Sequence, residues 1–370
     1  MKSDLIVFGE DWGGHPSSTQ HLVKYLSQNR KTLWINSIGL RRPRLSFKDV
    51  KRFLHKGRAI FHKGTAQKIE GPRDVIAPRA FPWPGNPLAK LCNRLVLARQ
   101  LKEKLNEHEI SKPIFWTSLP TAVDVLEQFD KQAVVYYCGD DFGALDGVDH
   151  APVLACEKRL VDQADLILAA SEKLAAKFPT DKTFVLPHGV DFNLFSTPAA
   201  CAPECRTKRP IAGFYGSISP WVDIALIVET ALRLPDWDFM LVGPVKTDVS
   251  PLLHLPNVKL VGPKSHDQLP CYVQHWQAAL LPFKDNEQIR ACNPLKLREY
   301  LATPTPVATT DFPAIAPYRE KLNIFSDAKG LAEILENIRP NPAQHLLVQD
   351  ESWTQRAQQV DDLLGIWDCA

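Results

Sequence analysis

Short apolar runs recur along the chain, separated by longer stretches whose apolar positions repeat every three or four residues. The runs are Leu5–Phe8, Thr32–Asn36, Pro113–Trp116, Ala133–Tyr137, Leu166–Ala169, Thr183–Leu186, Ile211–Tyr215, Asp238–Val242, Val258–Val261, Ala278–Pro282 and Thr305–Ala308. Between them, Ser18–Gln28, Leu88–His108, Ala155–Asp165, Ile224–Leu234 and Pro294–Ala302 have helical spacing. Strands this short and apolar, alternating with helices, predict βα units feeding parallel sheets, the α/β class.

The alternation stops between Phe195 and Pro210, where three prolines and no periodicity suggest an interdomain linker. Each half opens with an apolar strand and a glycine-containing turn. The expected division is 1–205 and 206–345, two Rossmann-like domains, followed by 346–370 with a helix over 353–366.

The 370 residues suffice for two buried cores, and with 45% hydrophobic residues and a net charge of +2 disorder is excluded. Thirty prolines against eighteen glycines suggest rigid turns more than flexible linkers. The start, with Asp4 and a four-residue apolar run, does not have the form of a secretory signal, and no run is long enough for a membrane helix. A soluble, cytoplasmic protein is the expectation. Eight scattered cysteines predict reduced, structural thiols, since the close pair Cys201 and Cys205 lacks the partners of a zinc set.

Near-neutral charge conceals one local excess: from Arg41 to Lys68 ten Lys or Arg stand against the single acid Asp49, interleaved with Phe47, Phe53, Leu54, Ile60 and Phe61. Phe81-Pro-Trp83-Pro follows. Such a segment is either a solvated face or a surface for anionic lipid headgroups or an anionic lipid-linked substrate. Nucleic acid is disfavoured, because the rest of the chain has no basic surplus.

Gly13-Gly14 follows the first strand and Gly213-Phe-Tyr-Gly216-Ser217-Ile-Ser219 opens the second half, each before a predicted helix. Glycines there let backbone amides approach an anionic or sugar group, although a tight turn would use them equally. Ser217 or Ser219 is the expected cap of the next helix. Neither turn is GxGxxG or a Walker A loop. On the helix over Pro294–Ala302, Lys296 and Glu299 share a face, where a lysine can meet a phosphate and a carboxylate can accept ribose hydroxyls; a surface ion pair is the other possibility.

Pro294-Leu-Lys-Leu-Arg-Glu-Tyr-Leu-Ala302 followed by Pro306-Val-Ala-Thr309 resembles the nucleotide-sugar signature of GT-B glycosyltransferases, and Leu186-Pro-His-Gly-Val-Asp191 resembles that family's HisGlyValAsp turn. The order and spacing of the Gly13-Gly14 turn, 164–171, 213–217, 239–243 and 257–262 agree over roughly residues 4–330. The resemblance implies the GT-B fold, two Rossmann-like domains facing across a cleft, with the C-terminal helix crossing back to the first. It also implies that Glu299 binds the donor ribose, Lys296 the diphosphate, and Leu295 packs near the base. Gly216 and Ser217 would face the phosphates, His188 the donor sugar or phosphate, and Gly14 would lie opposite them. Two departures stand out: Ala291 occupies the place of the first glutamate of the common Glu-x7-Glu motif, and the usual basic pair after the GlySer turn is missing. Arg290 is the candidate replacement for that charge.

An inverting transfer needs a base for the acceptor hydroxyl. Asp140 and Asp141 follow the strand Ala133–Tyr137, where sites in α/β sheets collect, and resemble the strand-end aspartate of inverting polysaccharide glucuronosyltransferases; the register favours Asp140 without excluding Asp141. Asp236-Trp-Asp238 matches an Asp-x-Asp metal motif but precedes a strand instead of following one, so no metal is expected. Together these features imply a transferase using a nucleotide-diphosphate sugar, UDP-sugar foremost, with no cofactor. The acceptor would be a saccharide or lipid-linked saccharide in polysaccharide assembly, with the enzyme peripheral on the inner face of the plasma membrane. A GT-B epimerase or hydrolase and a non-catalytic nucleotide-sugar-binding subunit are the alternatives.

Overall fold

The computed structural model describes residues 2–13, 17–37, 71–78, 87–145 and 148–368. The chain forms two compact units: 1–169, 175–185 and 357–370 make the first, and 170–174 with 186–356 the second.

The first unit holds a seven-stranded sheet of order β3-β2-β1-β4-β5-β6-β7. Its strands are β1 (Leu5–Phe8), β2 (Thr32–Ile35), β3 (Asp74–Ile76), β4 (Ile114–Thr117), β5 (Ala133–Cys138), β6 (Leu166–Ala169) and β7 (Thr183–Val185), all paired in parallel. The second holds a six-stranded parallel sheet, β10-β9-β8-β11-β12-β13. Its strands are β8 (Ile211–Tyr215), β9 (Asp238–Val242), β10 (Val258–Gly262), β11 (Ala278–Leu281), β12 (Val307–Thr309) and β13 (Asn323–Ile324). Central strands are buried at every residue, which is why they read as unbroken apolar runs and not as alternating ones. Strand order reverses between β1 and β4 in one sheet and between β8 and β11 in the other. In doubly wound sheets such switch points, at the carboxyl ends of the strands, are where ligands bind.

Three sequence expectations change. The edge strands β3 and β13 went unforeseen, because three and two residues are too few to show a period; β3 exists through pairing with β2, as Leu33 opposes Asp74. The helix Ile224–Arg233 is capped by Asp223, whose side chain accepts from Leu226 N at 3.1 Å, and not by Ser217 or Ser219. The stretch read as a linker, 196–210, belongs to the body of the second unit, and the chain enters that unit at Leu186 instead of 206. Gln274 Nε2 donates to the carbonyls of Phe195 and Thr197, its Oε1 accepts from Ala199 N, and Cys205 is buried against Met240. Side-chain bonds from a neighbouring segment order a stretch that has no period of its own.

The helix Trp353–Leu364 begins in the second unit, and its residues from Ala357 onward count with the first. Among the described residues no helix is long and apolar enough to cross a membrane. Gly14, the segment Arg41–Lys68 and Phe81-Pro-Trp83-Pro lie outside the described residues.

Candidate functional site

In the second unit the candidate residues gather where β8 ends. Tyr215, the last residue of β8, is fully buried and joined twice to the helix Leu295–Leu301: its backbone N–H donates to the Tyr300 phenol oxygen at 2.9 Å, and its own hydroxyl donates to Glu299 Oε2 at 2.6 Å. The two tyrosine rings meet edge to face at 4.8 Å. Glu299 Oε1 lies 2.9 Å from His266 Nε2, and only 10% of the Glu299 side chain is exposed. Burial alone would push this carboxyl upward; the bond and charge of His266, the Tyr215 hydroxyl and the nearby Lys296 outweigh it and hold Glu299 below the ordinary carboxylate range. Burial pushes His266 down, but Glu299, then Asp191 and Asp267, raise it above the ordinary imidazole range.

Lys296 lies across the backbone of Gly216, where φ is +131°, and its ammonium stands 6.0 Å from the Phe214 ring centroid. A Cβ at Gly216 would fall 2.0 Å from Lys296 Cε, and one at Gly243, whose φ is +148°, would fall 1.9 Å from the Gly216 carbonyl oxygen. Both positions need glycine for conformation and for room. Ser217 Oγ is 2.7 Å from Ser219 Oγ, and Leu295 is half-buried at the first turn of the same helix.

His188 is buried, with its ring 6.4 Å from that of Trp353. Its turn is tied to the 351–353 segment: Val190 N donates to the Glu351 carbonyl at 2.9 Å, and Trp353 N to the Val190 carbonyl at 3.2 Å. The Glu351 carboxylate in turn accepts from the buried Arg298 at 2.6 Å, so the His188 turn is referenced to the helix that carries Lys296 and Glu299. Arg290 is on the surface, paired with Asp285 at 2.6 Å and Glu287 at 3.1 Å. Asp238 of the Asp-x-Asp match is buried at the start of β9 and pairs with Lys259 at 2.9 Å, a structural role.

In the first unit, Asp140 is exposed just beyond β5. Asp141 Oδ1 accepts from Lys177 Nζ at 2.6 Å and from Gly143 N at 3.0 Å. Lys177 also lies 4.0 Å from the buried Glu157, which accepts from the Tyr136 hydroxyl at 2.6 Å. Burial pushes the Cys138 thiol up to about 12, so it stays a neutral packing group. Sequence inspection missed Glu10, beyond β1: its carboxylate accepts from the Ser17 hydroxyl and from Gln20 Nε2 at 3.4 Å. Burial, with smaller contributions from the Asp11 and Asp140 charges, holds its carboxyl above the ordinary range against the opposing hydrogen bonds. It also missed His266, although Ser265-His-Asp-Gln268 after a strand has the pattern of a capping box, and the structure forms that box.

No protein family's sequence profile matches the chain. It is 31% identical over 221 residues to TuaH of Bacillus subtilis (strain 168), a protein named for glycosyl transfer in teichuronic acid biosynthesis; the match spans 54% of this chain and 55% of that one. The chain thus spans about half the length of the curated relative it matches. Among solved structures it is similar to sucrose-phosphate synthase from Thermosynechococcus elongatus, with a TM-score of 0.72, 16% identity and full coverage of both chains. It is also similar to Anabaena HepE in complex with UDP and glucose, with a TM-score of 0.67, 15% identity and coverage of 98% and 99%. The fold is GT-B. In this GT-B chain the residues drawn together at the end of β8 are Gly216, Ser217, Lys296 and Glu299, with His266, Tyr215 and Gly243 supporting them.

Proposed function

We propose that the chain is a glycosyltransferase that moves a sugar from a nucleoside-diphosphate sugar, UDP-sugar foremost, to a saccharide acceptor. The observation that carries this is Glu299: a buried, ionised carboxylate at a strand-order switch point, one helical turn from a lysine laid across a glycine turn. An ionised carboxylate kept out of water is a strong acceptor for a vicinal diol such as that of ribose. The Lys296 ammonium supplies positive charge for the diphosphate, and the loss of that diphosphate as leaving group is what the charge would assist. HepE, similar in fold, is described in complex with UDP-glucose, which supports the donor class.

For the base, Asp140 is the better candidate, because it stands exposed just beyond the carboxyl end of β5, at the place the strand-end resemblance favours. Asp140 would take the proton of the acceptor hydroxyl as that oxygen attacks the anomeric carbon and the nucleoside diphosphate departs, inverting the centre. The similarity to a teichuronic acid transferase, with the basic aromatic segment Arg41–Lys68, supports a lipid-linked acceptor and attachment to the inner face of an anionic membrane.

A thermal-shift screen of UDP-, GDP- and dTDP-sugars, repeated on Glu299→Ala, tests the donor site: stabilisation by a UDP-sugar that vanishes in the variant is expected, and no stabilisation by any donor would sink the proposal.

A further inference from the structure

His266 has more contact with the candidate site than any sequence motif would suggest. It opens the short 3-10 turn His266–Gln268 after β10, whose backbone is pinned by a capping box in which Ser265 N donates to Gln268 Oε1 at 3.3 Å. Its ring packs edge-on against Phe195 at 5.4 Å, and Phe195, with no exposed surface, stacks on Tyr215 at 6.4 Å. From this seat Nε2 reaches Glu299 Oε1 at 2.9 Å, while the Tyr215 hydroxyl takes Oε2. Each carboxylate oxygen therefore has one protein donor, and its remaining lone pair is left for a ligand.

We propose that His266 is the positioning residue of the donor-nucleotide site: through its bond to Glu299 it fixes the direction of the carboxylate and so sets the affinity for the ribose diol of the donor. This rests on the reading of Glu299 as the ribose-binding group. Two physical effects combine. A carboxylate held at both oxygens loses little rotational freedom when ligand binds, and an imidazolium partner keeps it charged in a place where burial alone would favour the neutral acid. Among the described residues, the charged and titratable groups that face the imidazole or its carboxylate partner include Glu299 and Lys296 on the helix Leu295–Leu301, Asp191 at the cap of Phe192–Ser196, Asp267 on its own turn, and Tyr215 on β8. The acids favour the imidazolium, so the pair persists above pH 6.5 and weakens as pH rises through the raised imidazole value.

Calorimetric titration with UDP and with 2′,3′-dideoxy-UDP, on wild type, His266→Ala, His266→Gln and Glu299→Ala, tests the assignment. His266→Ala should weaken UDP about tenfold, the value of one hydrogen bond to a charged group, and the dideoxy analogue by less than about twofold. His266→Gln, which keeps a donor near the Nε2 position without its charge, should recover part of the affinity. UDP-glucose, whose diphosphate carries no proton near neutral pH, should show wild-type affinity falling as pH rises above 6.5 through the raised imidazole value, and the Gln variant should lack that slope. Equal loss of UDP and its dideoxy analogue, or an unchanged pH profile in the Gln variant, would overturn the positioning role. Should His266→Ala fail to fold, the Gln variant alone decides on the same two readouts. If Glu299→Ala binds UDP as wild type does, the ribose reading itself falls and the positioning role falls with it. Loss of UDP binding in Glu299→Ala beside a His266→Gln variant indistinguishable from wild type would remove only the role of His266.

Discussion

Lys296 crosses Gly216 so closely that a Cβ on the glycine would sit 2.0 Å from the lysine's Cε. The glycine is there for two reasons at once: its φ of +131° excludes ordinary side chains, and its bare face is the bed on which the ammonium's alkyl stem lies. Gly216→Ala should push Lys296 aside and weaken UDP binding by at least about tenfold, with a loss of stability of about 1–3 kcal/mol from backbone strain. Calorimetry with UDP and a denaturant melt check the two effects separately. Wild-type affinity in the alanine variant would show that Lys296 does not act from this position.

Asp140 is exposed at the end of β5, and its neighbour Asp141 is tied into an ion pair. Lys177 binds Asp141 at 2.6 Å, while burial, which would lower the Lys177 ammonium, is outweighed by Asp141 and Glu157, which keep it charged. Asp140→Asn should reduce sugar transfer by about a thousandfold or more, within the range of general-base removal, while leaving UDP affinity intact. Asp141→Asn should retain most of kcat and lose stability. Steady-state kinetics on both variants distinguish the two, and the reverse ranking would make Asp141 the base.

Arg30 is a buried cation, with no exposed side-chain surface, held by residues more than 300 positions away. Its Nη1 and Nη2 reach Asp368 at 2.5 and 2.6 Å, and its Nε reaches Asp361 at 2.9 Å, while Ser3 N donates to Asp368 at 2.9 Å. The segment Ala357–Asp368 is thereby fastened to the first unit. Asp368→Ala should destabilise that unit by about 1.5–3 kcal/mol, the usual loss of hydrogen bonds to a charged group, since Arg30 keeps Asp361 as a partner. Burial pushes Asp368 up, but Arg30 and Ser3 hold it below the ordinary range; its contribution is therefore complete above pH 3.8 and lost as pH falls through the depressed value. Urea melts should show the full difference between wild type and variant at pH 7, and a difference that shrinks as pH falls below 3.8.

The His266–Glu299 pair makes an opposite prediction for the second unit. With the imidazole raised, its share of stability is complete below pH 6.5 and disappears as pH rises through the folded value. The difference in melting temperature between wild type and His266→Gln should therefore be larger at pH 6 and shrink as pH rises through the raised imidazole value, followed by calorimetry across that range. A constant difference would mean that the pair does not titrate in this range.

Strand identity was legible because each central strand is buried on both faces and so consists of an unbroken apolar run; β5 and β8 are recognisable from their residues alone. The edge strands β3 and β13 were not, since their pairing partners, and not their own two or three residues, make them strands. The same distinction divides the site. Lys296 and Glu299 sit three apart on one helix, a local relation that spacing reveals, and Gly216 follows a strand in a recognisable turn. His266 comes from a turn 33 residues earlier and reaches Glu299 only through the packing of β10, Phe195 and Tyr215.

Sequence alone, then, determined what depends on neighbours along the chain: the alternation of strands and helices, the glycine turns, the Lys296–Glu299 face and the α/β class. Tertiary structure decided what depends on neighbours in space. It ordered the aperiodic 196–210 segment through Gln274 and His275, committed Asp141 to Lys177, buried Arg30 under the chain's end, and placed an imidazole on the buried carboxylate. The reason is one of range: periodicity and turn chemistry act over a few residues, whereas charge and burial act over a few ångströms regardless of how much chain lies between.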